Sequence, residues 1–149
     1  DMSREMLAVA RARLQRADLS NCLVRQADMY QLPYPGGMFD LVTLHQVLHF
    51  AEKPEAALAE AARVLAPGGK LVIVDFAQHE HEELREEHAH RRLGFDDASL
   101  NAWFRANKLE PDNVISLPGK PLTVRIWAAH PAPGEVADAG EKRSEKAAE

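Results

Sequence analysis

The strongest constraint in this chain is the segment 63–75, where a helix, a forced stop and a buried strand follow one another. Pro67 cannot continue a helix, and the glycines that follow it favour the left-handed turn that ends one. Residues 71–74 are an unbroken apolar run, which is typical of a parallel strand covered on both faces. Asp75 then stands at the carboxyl end of that strand, where open α/β sheets bind their ligands. The segment therefore predicts a layered α/β domain.

The size and charge of the chain exclude several other classes of protein. Its 149 residues are enough for one domain with a real core, and 46% of them are hydrophobic. The net charge is −5 with no basic cluster, so we expect no nucleic-acid contact by this chain. No apolar run is long enough to span a membrane. The single cysteine, Cys22, excludes an internal disulfide and fits a reducing, cytoplasmic setting.

Hydrophobic spacing predicts the helices. Ser3 can cap a first helix whose apolar residues recur at helical spacing, and Pro54 starts a second helix that runs to about residue 65. A third amphipathic helix is expected at 97–107. The charged, histidine-rich segment 79–92 has few core residues and is interpreted as a mobile helix.

Runs of apolar residues predict five strands. They lie at 22–27, 39–44, 71–76, 113–117 and 122–129. The link between the last two strands is too short for a crossover helix, so these strands should be antiparallel. Residues 131–149 carry almost no large apolar side chain. We therefore predict a domain at 1–130 and a disordered charged tail at 131–149.

Several motifs in this chain resemble those of class I S-adenosylmethionine-dependent methyltransferases. The segment Asp1-Met2-Ser3-Arg4-Glu5-Met6-Leu7 resembles the family's Asp-x-Ser-x-x-Met-Leu segment. Ala27-Asp28-Met29, followed by Leu32-Pro33-Tyr34, resembles the family's acidic residue and Leu-Pro loop. Phe39-Asp40-Leu41-Val42 and the segment 63–75 resemble two later strands. The resemblance implies a Rossmann-like sheet, S-adenosyl-L-methionine as cofactor and methyl transfer to a small-molecule substrate.

The resemblance also assigns residues to the cofactor. Asp1 would bind the ribose hydroxyls, and Met2 would pack near the adenine. Asp28 would accept the adenine amino group, the Met29 backbone amide would meet a ring nitrogen, and Ala27 belongs to the same segment. An alternative for Asp28 is a turn-forming residue whose side chain bonds its own backbone.

The segment 44–50 lines the methyl-transfer site in the family. His45 is the better candidate to contact the methionine end of the cofactor or the substrate, whereas His49 is interpreted as a packing or helix-capping histidine. The sulfonium is already a good leaving group, so catalysis is largely alignment and desolvation. We therefore assign no catalytic residue from the sequence.

The histidines of segment 79–90 raise the question of a metal site. Residues 81 and 88 would share one face of a helix. However, there is no cysteine among them, and all of them lie on one polar segment, whereas a structural site needs a closed set of ligands on a defined scaffold. We predict no metal site and interpret the segment as a lid facing the substrate.

The glycine-rich loop of the family should precede the ribose carboxylate by about 20 residues. Because that carboxylate would be residue 1 here, we expect the N-terminal strands to be missing and 22–27 to pair directly with 39–44. Such a fragment should bind the cofactor weakly and be inactive alone.

The sequence leaves two other functions to be weighed against methyl transfer. Residues 75–95 resemble methyltransferase domains fused behind arsenic-repressor-type winged-helix regulators, so a non-catalytic ligand-sensing domain of such a regulator is the alternative. A nicotinamide-dependent reductase is disfavoured, because neither Tyr30 nor Tyr34 has the lysine partner of a Tyr-x-x-x-Lys pair.

Overall fold

The computed structural model describes residues 2–132, which form four α-helices and five strands. The helices are α1 (Arg4–Arg16), α2 (Pro54–Val64), α3 (Glu83–Glu87) and α4 (Asp97–Ala106), with a 3-10 turn at Leu48–Phe50. The strands are β1 (Phe39–His45), β2 (Leu65–Phe76), β3 (Leu109–Pro111), β4 (Ile115–Leu117) and β5 (Val124–Pro131). Within residues 2–132, no helix combines the length and the apolar character that a membrane crossing requires.

The strands form one mixed sheet in the order β1-β2-β5-β3, and β4 also pairs with β5. β1 and β2 are parallel, whereas β5 runs antiparallel to β2. β4 pairs with the start of β5 and β3 with its end, so together they act as one interrupted edge strand. The predicted antiparallel pair near the C-terminus is confirmed by the pairing of Ile115 with Ile126 and Leu117 with Val124.

α2 ends close to the predicted position, but β2 begins at Leu65, so the Pro-Gly-Gly residues lie within this strand and not before it. α2 ends at Val64, and the register between β1 and β2 shifts across the turn residues. Gly68 has a φ of +78°, in the left-handed region that favours glycine. A Cβ at Gly69 would lie 3.0 Å from the carbonyl oxygen of Asp40. Both glycines are therefore required for β2 to lie against β1.

The core lies between one face of the sheet and the two helices α2 and α4. Leu71 and Ile73 of β2 and Trp127 of β5 are buried in this core. Val72 and Val74 point to the opposite face and are only partly buried. The expected cover on both faces of β2 is thus incomplete within the described residues.

The prediction of a strand at 22–27 is wrong. The segment belongs to no strand, does not pair with β1, and leaves Cys22 and Leu23 exposed. Only Val24 and Ala27 are partly buried, so the run has no packed surface on which to form a half-buried strand.

The segment 79–92 also differs from its prediction. Its helix is limited to α3, and the chain bends at Ala89, whose φ is +54°. The shared helical face expected for residues 81 and 88 therefore does not form. Strand β3 was not predicted, and residues 133–149, which hold nearly all of the predicted tail, lie outside the described residues.

Candidate active site

The carboxyl ends of β1 and β2 lie side by side because the two strands are parallel. The chain leaves β1 through Gln46, a non-glycine residue with a φ of +53°. The Gln46 N–H donates to the carbonyl oxygen of Val74 at 2.8 Å. This uncommon conformation turns the chain across the end of β2, where such backbone strain often accompanies a functional site.

The turn places His49 against Asp75, and both side chains are buried. Asp75 is fully buried, and its Oδ1 lies 2.7 Å from Nδ1 of His49. Its Oδ2 accepts the backbone N–H groups of Leu48 at 3.1 Å and of His49 at 3.3 Å. A carboxylate only accepts hydrogen bonds, so Nδ1 of His49 carries a proton and donates it to Asp75.

Aromatic side chains cover the His49 ring. The ring centroids of Phe50, His90 and Phe76 lie 4.0, 4.3 and 5.1 Å from the His49 centroid. His49 itself is 2% exposed. The imidazole is thus held in a largely apolar enclosure whose polar side is Asp75.

The segment that follows α3 docks onto this enclosure. The backbone N–H groups of Arg91 and Arg92 both donate to the carbonyl oxygen of His49, at 3.0 and 3.1 Å. Burial lowers the pKa of His90, and the neighbouring imidazoles of His49 and His79 lower it further. His90 therefore stays uncharged where it packs on His49.

The contact between His49 and Asp75 was not predicted from the sequence. Asp75 was expected at the rim of the site, but it is buried and fully engaged by N–H donors. His49 does pack, as interpreted, yet its ring is also bonded to a residue 26 positions away. The sequence shows a histidine after one predicted strand and an aspartate at the end of the next, which indicates one edge of the sheet. Their contact follows only from the parallel register of β1 and β2.

The predicted cofactor residues near the N-terminus are only partly described. Asp1 lies outside the described residues. Met2 is 59% exposed, and its carbonyl oxygen accepts the side-chain amide of Gln26 at 3.1 Å. This bond brings the first residues of the chain beside Ala27.

Asp28 forms a turn with its own backbone, as the alternative interpretation stated. Its Oδ1 accepts the N–H of Tyr30 at 2.9 Å, which uses one carboxylate oxygen. Asp28 is exposed, and Met29 packs against the core. The assignment of these residues to the cofactor stays a prediction.

The Leu-Pro loop is anchored on α2 by a charged pair. Glu60 accepts the N–H of Leu32 at 2.7 Å, and Arg63 donates to the carbonyl oxygen of Tyr34 at 3.0 Å. Glu60 and Arg63 also form a salt bridge at 2.7 Å, and hydrogen bonding from Arg63 lowers the pKa of Glu60. The loop that carries Asp28 is thus tied to the scaffold of the domain.

His45 lies at the end of β1 with its side chain exposed. Within residues 2–132, no hydrogen bond joins this side chain to the other predicted site residues, so its role also stays a prediction. In the same part of the chain, no group of three or more histidine, cysteine, aspartate or glutamate side chains is placed to hold a metal ion.

Sequence comparisons match part of the chain. A family model described as a methyltransferase domain matches residues 1–73. The ubiquinone/menaquinone biosynthesis C-methyltransferase UbiE of Shewanella oneidensis is 38% identical over 87 residues, which cover 58% of this chain and 35% of that protein. The chain thus spans about a third of the length of the curated relatives that it matches.

Solved structures share the fold. The YcgJ protein of Bacillus subtilis superposes with a TM-score of 0.74 and 20% identity, over 89% of this chain and 81% of that one. A SAM-dependent methyltransferase from Aquifex aeolicus gives a TM-score of 0.69 and 19% identity, over 87% and 65% of the two chains. These similarities confirm the predicted Rossmann-like α/β fold class.

The buried pair predicts a large stability effect for Asp75→Ala. Three backbone N–H groups and the His49 ring would lose this acceptor. Each buried unsatisfied group costs about 1–3 kcal/mol. We expect urea unfolding to show a loss of at least about 3 kcal/mol. The matched control Asp40→Ala removes an exposed acid from β1 and should stay within about 0.5 kcal/mol. Equal losses in the two variants would contradict the account.

The buried histidines predict a loss of stability in mild acid. The pKa values of His79 and His90 are lowered in the folded chain from 6.5. Well above pH 6.5, these two histidines are uncharged in the folded and in the unfolded chain. As the pH falls below 6.5, they bind protons more readily in the unfolded chain, so the free energy of unfolding falls. We expect His90→Phe to reduce this fall between about pH 7.5 and about pH 5.5, whereas the exposed-site control His45→Gln leaves it unchanged. An unaltered slope in His90→Phe would refute the assignment.

Proposed function

Because this chain belongs to the class I S-adenosylmethionine-dependent methyltransferases, we propose that the protein transfers a methyl group from S-adenosyl-L-methionine to a small molecule. The reaction site would lie at the carboxyl edge of β1 and β2. The observation that carries the proposal is the buried His49–Asp75 pair at that edge, enclosed by aromatic side chains. Because the chain spans about a third of the length of the curated relatives that it matches, the activity of the whole protein is part of this proposal.

The cofactor would be held by two segments that lie side by side. Met2 and the loop at 27–29 are joined through the bond from Gln26, and the loop itself is tied to α2. Asp28 keeps a second carboxylate oxygen for the adenine amino group, and Met29 offers its backbone amide. Asp1 would bind the ribose. This donor set fits a nucleoside, which needs carboxylate acceptors for hydroxyl and amino groups.

His49 would act on the methyl acceptor. The bound cofactor supplies an electrophilic methyl group on a sulfonium. As the acceptor's nucleophilic atom bonds to the methyl group, the methyl–sulfur bond would break and the sulfur would leave as a neutral thioether. Nε2 of His49 would take the proton that the acceptor loses. Asp75 would then stabilise the imidazolium and keep the ring in place, as the carboxylate of a catalytic triad does. His45, exposed at the end of β1, would contact the methionine end of the cofactor.

The acceptor is proposed to be a small organic molecule. Relatives of this chain include a C-methyltransferase of ubiquinone/menaquinone biosynthesis, and structural neighbours include a magnesium protoporphyrin IX methyltransferase. The free cysteine at position 22 supports a reducing, cytoplasmic setting.

The proposal predicts a defined binding footprint for S-adenosylhomocysteine, the product form of the cofactor. In ¹H–¹⁵N NMR titrations of this chain, we expect shifts at 27–29 and 45–49, with a Kd weaker than about 10 μM. Asp28→Asn should weaken binding at least about fivefold, because the adenine loses a charged acceptor.

Asp40→Asn is the matched control, since it makes the same charge change at an exposed position of β1 and should leave the Kd unchanged. Equal weakening by both variants would refute the assignment of Asp28. Shifts that avoid the carboxyl edge of β1 would refute the proposed site.

A further inference from the structure

We propose that a cavity beside the His49–Asp75 pair binds an oxyanion group of the methyl acceptor, either a carboxylate or a phosphate. The cavity has a volume of about 630 Å³ and lies between the turn at 78–80, the segment 91–96 and α4. The inference rests on the proposed function, but it is tested by binding alone. The proposal of an oxyanion site and the proposal of methyl transfer can therefore be refuted separately.

The cavity walls are fixed by a short ladder that joins the chain before and after α3. The His79 N–H donates to the carbonyl oxygen of Leu93 at 3.0 Å. Gly94 has a φ of +75°, and a Cβ there would collide with the carbonyl oxygen of Ala77. Because only glycine permits this approach, the two walls are held at a defined separation.

Two buried hydrogen-bond donors of these walls have no partner within residues 2–132. Nδ1 of His79 accepts the N–H of His81 at 3.2 Å, so the single proton of the uncharged ring lies on Nε2, which is buried and unpaired. Burial lowers the pKa of His79, which keeps the ring uncharged. Nε of Arg92 is likewise buried and unpaired, and a guanidinium can only donate.

Both donors belong to residues that line this cavity, and unpaired buried donors are costly. A ligand that supplies acceptor oxygens would remove that cost. Arg92 also carries a full positive charge, so an anionic oxygen group suits the position better than a neutral carbonyl group.

The acidic side chains of the cavity are mostly engaged elsewhere. Glu82 is bonded to Arg85 at 2.8 Å, and Asp96 accepts the N–H of Ser99 at 2.8 Å as the cap of α4. Glu80 is exposed and is the acid that would oppose an anion. Across the lining, three arginines balance three acids, so the attraction for an anion comes from the two unpaired donors of His79 and Arg92 and not from a net positive charge.

The remaining wall of the cavity is aromatic. Trp103 lines the cavity, and its ring packs edge-on against Phe95 with centroids 6.0 Å apart. The backbone of Arg92 is bonded to the carbonyl oxygen of His49. An acceptor with a flat apolar body could therefore lie on Trp103, with its anionic group held by Arg92 and His79.

Benzoate, phenyl phosphate and the neutral analogue benzamide test the proposal in ¹H–¹⁵N NMR titrations without cofactor. We expect benzoate or phenyl phosphate to shift the indole signal of Trp103 and the side-chain signals of Arg92 and His79, with a Kd of about 1 mM. The tighter of the two identifies the group as carboxylate or phosphate. Benzamide should bind at least about tenfold more weakly.

Arg92→Gln should weaken the tighter anion at least about tenfold. The control Arg105→Gln makes the same charge change on α4 outside the cavity and should leave the Kd unchanged. Glu80→Gln should tighten binding about twofold, a gain that a folding defect cannot produce. Equal binding of benzamide, or equal effects of Arg92→Gln and Arg105→Gln, would overturn the proposal. Anion binding without methyl transfer would refute only the proposed function.

Discussion

The hydrogen bond between Asp75 and His49 is the interaction on which the carboxyl edge of the sheet depends. A fully buried carboxylate is tolerated only when hydrogen-bond donors replace the water that it has lost. Here the donors are the His49 ring and the backbone N–H groups of Leu48, His49 and Phe76. To supply them, the chain must turn sharply at Gln46 and cross the end of β2. The strained backbone after β1 is thus a consequence of where Asp75 is buried.

The same interaction positions the segment that follows α3. The carbonyl oxygen of His49 receives the N–H groups of Arg91 and Arg92, and His90 packs on the imidazole. The proposed oxyanion cavity and the proposed proton acceptor therefore share one piece of backbone. A substitution of Asp75 should therefore disturb both the cavity and the proton acceptor. A substitution of the Arg92 side chain should alter only the cavity, because the bond to His49 comes from the Arg92 backbone.

Local patterns were enough to predict α2, β2 and the antiparallel pair near the C-terminus, because Pro54, Pro67 and the following glycines dictate backbone geometry directly. The prediction of a strand at 22–27 failed because a strand must pair with a neighbouring strand. An apolar run in the sequence does not show that such a neighbour is present. The His49–Asp75 contact was missed for a related reason. Two polar residues 26 positions apart become partners only once the parallel register of β1 and β2 is known.

The position of the His49 proton tests the central claim most directly. Long-range ¹H–¹⁵N NMR correlations report which ring nitrogen carries the proton. The account predicts a proton on Nδ1 of His49 that exchanges slowly with solvent and is lost from the spectrum in Asp75→Asn. A proton on Nε2, or a rapidly exchanging Nδ1 proton in the wild-type chain, would contradict it.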